Sequence, residues 1–191
     1  ERQQRRALDR ADFDRLALPD ASVVLHGSAA RGQYLPGISD VNLLLVFAEL
    51  SSGTLELLRP LFRWWKDEAW AVPLVKTQAE WRRAADAYPL EIAEMRTGYR
   101  VLRGADPLIG LVVRPADLRL ALEREFRGKL LRLRQVYVLL GDDAAALGGV
   151  TRRSVPTILL LCRGLLVLRG RIPATDPVEL VTQAAEIAGF A

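Results

Sequence analysis

The run Val41-Asn42-Leu43-Leu44-Leu45-Val46-Phe47 constrains the fold more than any other stretch of the 191 residues. Only Asn42 in it is polar. A strand with one wet face alternates apolar and polar side chains, whereas one this uniformly apolar is covered on both faces. A second short buried strand, Ala21–His26, precedes it and carries Val23-Val24-Leu25. Between the two lies His26-Gly27-Ser28-Ala29-Ala30-Arg31-Gly32, read as a helical turn over Ser28–Gln33, followed by a Leu35-Pro36-Gly37 loop. Gly27 lets the backbone come close to a ligand, since a Cβ there would be in the way. Ser28 and the amides after it stand at the start of a short helix, where unpaired N–H groups favour phosphate oxygens. Asp40 and Asn42 are two apart on a strand, so both side chains share a face. A phosphate cradle beside two oxygen ligands is what a Mg²⁺-dependent nucleotide enzyme needs.

The rest of the chain reads in turn as follows. Residues 1–17 form an amphipathic helix with Leu8, Ala11 and Leu16 inward, broken at Pro19-Asp20. A helix begins at Ser51-Ser52-Gly53-Thr54 and runs to about Ala69, with Leu55, Leu58, Leu61, Phe62 and Trp65 as its inward stripe. Trp64, Trp65 and Trp70 are read as core and flank in preference to a base-stacking platform. Ala71–Thr77 is a third strand, placed at an edge or an early position by Pro73. Thr77 and Glu80 make a capping box. A short helix opens at Tyr88-Pro89, and Tyr99–Arg103 is a brief strand. Beyond it the period becomes helical. Pro115 and Asp117 start a helix to about Leu140, with Leu118, Leu122, Phe126, Leu130, Leu133 and Tyr137 inward. A helix over roughly Thr151–Arg169 follows, with Pro156 at its start or at a kink. Asp176-Pro177-Val178-Glu179 caps a last helix that stops at Gly189.

Composition excludes several kinds of chemistry. Cys162 is the only cysteine and His26 the only histidine, so there is neither a disulfide framework nor a thiolate or His-rich zinc centre. Cys162 and His26 are read as core residues. The longest apolar run, Ile158 to Leu168, is broken by Arg163 and falls short of the roughly 20 residues of a membrane span. No secretory leader is visible, and a cytoplasmic protein is expected. Both ends read as cut within an element, so the sequence is expected to come from a longer chain. The net charge of +4 comes almost wholly from arginine, with lysine only at 66, 76 and 129. It suits an anionic ligand without demanding nucleic acid.

Gly27-Ser28-Ala29-Ala30-Arg31-Gly32, eleven residues between Ser28 and Asp40, and Ser39-Asp40-Val41-Asn42-Leu43-Leu44 together resemble the nucleotidyltransferase superfamily of the aminoglycoside-modifying and minimal enzymes. The resemblance implies an α+β fold: a small mixed-sheet domain over residues 1–107, then an α-helical domain over 108–191. It implies an NTP ligand, Mg²⁺, and transfer of a nucleoside monophosphate to a hydroxyl of a small molecule or protein. Gly27, Ser28 and Arg31 would meet phosphates, although Arg31 equally suits fixing the turn. Asp40 would be catalytic, and Asp40 and Asn42 would be the metal ligands. In the helical half Glu125 and Lys129, i,i+4, stand where the family has a base and a phosphate-binding lysine; an ordinary surface ion pair is the alternative. A membrane and nucleic acid are not expected as partners, and a homodimer is left open. The departure from the family lies at Asn42, where it has a second carboxylate, and on Ala71–Thr77, where its third acid is missing. Leu74 and Lys76 share one face of that strand; Lys76 is an exposed lysine or a fixed cation standing in for metal. The chain therefore reads as a nucleotidyltransferase with transfer weakened or lost, or as a non-catalytic nucleotide- or partner-binding pseudoenzyme.

Overall fold

A computed structural model describes residues 20–34, 40–67 and 70–190. The helix expected over 1–17, the loop at 35–37, Ser39 and Glu68 lie outside the described residues. Four strands form one mixed sheet: β1 (Ala21–His26), β2 (Asn42–Phe47), β3 (Leu74–Thr77) and β4 (Tyr99–Arg103), in the order β3-β2-β1-β4. β1 runs antiparallel to β2 and β4, and β2 runs parallel to β3. Six helices are present among the described residues: α1 (Ser52–Asp67), α2 (Gln78–Arg82), α3 (Pro89–Arg96), α4 (Pro115–Leu140), α5 (Ala144–Leu168) and α6 (Pro177–Ala188). The expected α+β class, a mixed sheet followed by a helical portion, is what the chain adopts.

The chain divides into two compact units, residues 1–84 with 98–111, and residues 85–97 with 112–191. α3 therefore packs with the helical unit although it precedes β4 in sequence.

In the first unit, β2 is buried on both faces, as its composition requires: Leu43 to Phe47 are all within 1% of complete burial. Leu43, Leu45 and Phe47 join Val23, Leu25 and Val75 against Leu58, Leu61 and Trp65 of α1. α2 packs beside β2 and β3, and its Trp81 is buried with the indole N–H donating to the Pro107 carbonyl at 3.0 Å. Trp65 is fully buried, Trp64 and Trp70 lie edge-on around it, and all three serve the core and its flank. β3 begins at Leu74, three residues later than expected, immediately after Pro73 and at the sheet edge. Proline has no N–H to give a ladder, so pairing starts after it. The Thr77–Glu80 capping box is complete. Glu80 N–H donates to Thr77 Oγ1 at 3.1 Å, and Thr77 N–H donates to Glu80 Oε2 at 2.7 Å.

In the second unit, Leu90 and Ala93 of α3, Leu118 and Leu122 of α4 and Leu161 of α5 form one core. Gly164 makes their close approach feasible, because a Cβ there would stand 2.5 Å from Leu90 Cδ1 and 2.9 Å from Leu122 Cδ2. α5 starts at Ala144, seven residues before the expected Thr151. Asp143 caps it by accepting from the Ala146 amide at 2.9 Å, and the helix continues through Gly148-Gly149 with Pro156 inside it. The α4 stripe is buried only at Leu118 and Leu122, while Phe126, Leu130 and Tyr137 are exposed. α6 carries its cap, with Asp176 accepting from the Val178 and Glu179 amides, and it ends at Gly189 in the left-handed conformation.

Two outcomes follow. The Glu80 carboxylate is held below its ordinary pKa, first by the Thr77 backbone N–H and then by the Thr77 hydroxyl. A carboxyl lowered in the folded state stabilises above its unfolded pKa and stops doing so as pH falls through the folded value. Glu80→Gln should therefore flatten the acid limb of a pH–melting curve, read by circular dichroism. Gly164→Leu should destabilise by about 1–3 kcal/mol through overpacking. Gly164→Ala should stay near neutral, since the two leucine tips can yield and alanine favours helix; chemical denaturation separates the two variants.

Candidate nucleotide site

The site stands where the sheet runs out of apolar residues. β1 and β2 pair in register from Ala21↔Phe47 to His26↔Asn42, and His26 pairs on its other side with Tyr99 of β4. Directly paired residues point to one face, so Asn42, His26 and Tyr99 form a polar row across three strands. Tyr99 is anchored by its hydroxyl, which donates to Asp106 Oδ2 at 2.7 Å, while the other Asp106 oxygen accepts from the Leu108 amide at 2.8 Å. One pair further into the sheet the same face is Val24 and Leu44, both completely buried.

At the end of this row the chain turns. Gly27 has φ +77°, a left-handed conformation that suits glycine, and a Cβ on it would lie 3.0 Å from the Asn42 side-chain nitrogen. The predicted turn then forms: Arg31 N–H donates to the Gly27 carbonyl at 3.2 Å, Gly32 N–H to Ala29 at 3.4 Å and Gln33 N–H to Ser28 at 2.9 Å. The last two bonds, with Gly32 at φ +73°, close a single helical turn in a Schellman arrangement. Ala29 and Ala30 pack against the core beside α1, which fixes the turn to the sheet. The amides of Ser28, Ala29 and Ala30 donate to no backbone carbonyl of a described residue. These are the groups expected to face phosphate oxygens.

Arg31 is held from two sides. Its Nε donates to Gln33 Oε1 at 3.2 Å, and its stem lies where a side chain on Gly98 would be. Gly98, immediately before Tyr99, is thus a residue of this site that sequence reasoning missed; the one signal was a glycine at the entry to a short strand. His26 was read as core, and it is half-buried in the polar row beside Asn42. Asp40 is exposed, two residues before β2 begins, and Asn42 is half-buried at the first position of that strand.

The residues do not fit a two-Mg²⁺ centre. Two divalent ions a few Å apart repel, and only a cluster of anionic oxygens offsets that. On the face that carries Asn42, the paired position is His26, and the first β3 residue is Leu74, paired with Leu44. Lys76, read as a candidate stand-in for a cation, pairs with Val46. That is four residues along β2 from Asn42, about 13 Å at 3.3 Å per residue and longer than a lysine side chain. Among the described residues no three His, Cys, Asp or Glu side chains come together to hold a metal.

Residues 6–95 match the family model of the nucleotidyltransferase domain. Over those residues the chain is similar to the nucleotidyltransferase family. The match takes in β1, the Gly27 turn, β2, α1, β3, α2 and most of α3. No curated protein matches the chain. Nucleotidyltransferase domains use NTP and divalent metal ions as a rule, which sets the chemistry against which Asn42 and Leu74 stand out. No helix among the described residues is long and apolar enough to cross a membrane.

Glu125 and Lys129 belong to the helical unit and are described within it. They stand one turn apart on α4 and continue the spacing of Leu118 and Leu122, whose side chains are buried. Lys129 is half-buried, and the Glu125 carboxylate approaches Arg124 only at 3.9 Å. The pair shares the face of α4 that carries Leu118 and Leu122, but Glu125 is exposed there, its side chain 48% accessible.

Gly27→Ala should cost about 1–2 kcal/mol for the left-handed backbone alone. It should also push the Asn42 amide out of place, and the shift should be visible in the Asn42 side-chain resonances by ¹⁵N NMR.

Proposed function

We propose that the nucleotidyltransferase domain binds a nucleoside triphosphate by its phosphates and transfers the nucleotidyl group slowly or not at all. The phosphates would lie on the Ser28–Ala30 amides, with Gly27 leaving room and Arg31 close by to meet one oxygen. Asp40 would be the one metal carboxylate and Asn42 a neutral oxygen ligand beside it. A single Mg²⁺ would then be held mainly by the nucleotide it arrives with. The observation that carries this reading is the row Asn42–His26–Tyr99, with Leu74 next to it on β3: a neutral amide, an imidazole, a phenol and an alkyl group where a metal cluster needs anions.

The test is calorimetry with ATP, with Mg²⁺ and with EDTA, beside a pyrophosphate-release assay over a panel of hydroxyl acceptors. Weak binding that changes little on removing the metal, lost in Gly27→Ala and without pyrophosphate release, is the expected result. Asn42→Asp combined with Leu74→Asp should make the binding Mg²⁺-dependent. Absence of any ATP binding would leave a partner-binding pseudoenzyme in its place.

A competing reading, active transfer to a small-molecule or protein hydroxyl, draws on the one-turn spacing of Glu125 and Lys129 on the face of α4 that carries Leu118 and Leu122. Glu125 would be the base that takes the acceptor proton and Lys129 a phosphate contact, the roles that the family resemblance gives them. Pyrophosphate release abolished by both Asp40→Ala and Glu125→Gln would establish this reading and sink the first.

A further inference from the structure

The distal half of the α4–α5 hairpin, residues 126–158, combines three features that the nucleotide site does not use. On the groove side of α4 its apolar side chains are uncovered: Phe126, Leu130 and Tyr137, spaced along one helix face, are 42–68% exposed. Single exposed apolar residues are ordinary, but a contiguous set on one supersecondary unit marks a binding surface. Near the turn the two helices also part around an apolar groove of about 340 Å³, lined by Leu133, Val136, Tyr137, Leu147 and Val150, with Arg134 and Thr151 at its sides. Finally, the segment holds six basic residues against two acidic ones, a net +4. The whole chain is also +4, so these 33 residues carry all of its net charge and the remainder sums to zero.

The core of the helical unit explains why this half is bare. Leu90 and Ala93 of α3 cover α4 at Leu118 and Leu122 and α5 at Leu161, and α6 packs on α5 around Cys162 and Leu166. Both covers lie at the other end of the hairpin, and past Leu122 the α4 stripe has no buried member.

We infer that this half of the hairpin is a helix-in-groove dock for an acidic, amphipathic helix of a partner protein. The groove and the apolar stripe would take side chains at i, i+3, i+4 and i+7, while Arg127, Arg132, Arg134, Arg152 and Arg153 meet flanking carboxylates. Charge selects this occupant. A second copy would bring two surfaces of net +4 together. Nucleic acid would answer the charge but leave Leu130 and Tyr137 against water. An anionic membrane would have to accept Asp142 and Asp143, which lie at the turn around the same hollow as Tyr137.

A labelled synthetic helix with Leu at i, i+3, i+4, i+7 and Glu elsewhere, read by fluorescence anisotropy, tests the dock. The controls are the same peptide with Lys for Glu, a DNA duplex, and vesicles containing phosphatidylglycerol. The acidic peptide should bind and the lysine peptide should not. Leu130→Asp with Tyr137→Asp, and separately Arg132→Glu with Arg134→Glu, should each weaken it about tenfold or more, a loss of about 1.4 kcal/mol. All four positions are exposed, so an unchanged circular dichroism melt checks that the fold is kept. Failure of the acidic peptide to bind, or binding that ignores the substitutions, would overturn the inference. So would equal binding of the DNA or the vesicles, or a stable dimer in sedimentation that Tyr137→Asp dissociates.

Discussion

Burial of β2 on both faces is the constraint on which the first unit depends. Five consecutive side chains, Leu43 to Phe47, are withdrawn from water, with α1 on one side and the face of Val24 and Leu44 on the other. Polar groups cannot be tolerated along such a strand without partners. They therefore collect at its one open end, where Asn42, His26 and Tyr99 stand in line and the chain turns at Gly27. The candidate site is the place where the apolar ladder stops.

The same constraint explains why one substitution matters so much. A metal cluster at that end needs several carboxylates, and the sheet offers few positions on the right face: Asp40 before the strand, Asn42 on it, and Leu74 as the first β3 residue. With Asn at the second and Leu at the third, Asp40 is the one carboxylate among these three positions. The backbone amides of the Gly27 turn do not depend on those side chains. A change at those side chains therefore leaves the backbone of the turn as it is.

Much of the fold was legible because its signals are local. The apolar run at Val41–Phe47, the Gly27–Gly32 turn, the Thr77–Glu80 box and the Asp176 cap are each decided within a few residues of sequence. The errors share a different character. α5 began early because Asp143 could cap it and its neighbours could carry two glycines, a matter of context and not of propensity. Phe126, Leu130 and Tyr137 had the spacing of a buried stripe, but spacing cannot say whether a neighbour is there to bury it. Gly98 was invisible because its role lies in a close approach to Arg31, 67 positions away in the chain.

The sequence by itself determined that this chain builds a sheet around Val41–Phe47, places a tight glycine turn before it, and sets Asp40 and Asn42 two apart at its entry. Those properties follow from side-chain period, backbone freedom and charge, all of which are written residue by residue. Only the tertiary structure decided that His26 and Tyr99 flank Asn42, that Lys76 is too far along β2 to replace a metal, and that half of a long hairpin is left bare. These depend on strand register and on which elements meet, and register is fixed by the packed sheet as a whole.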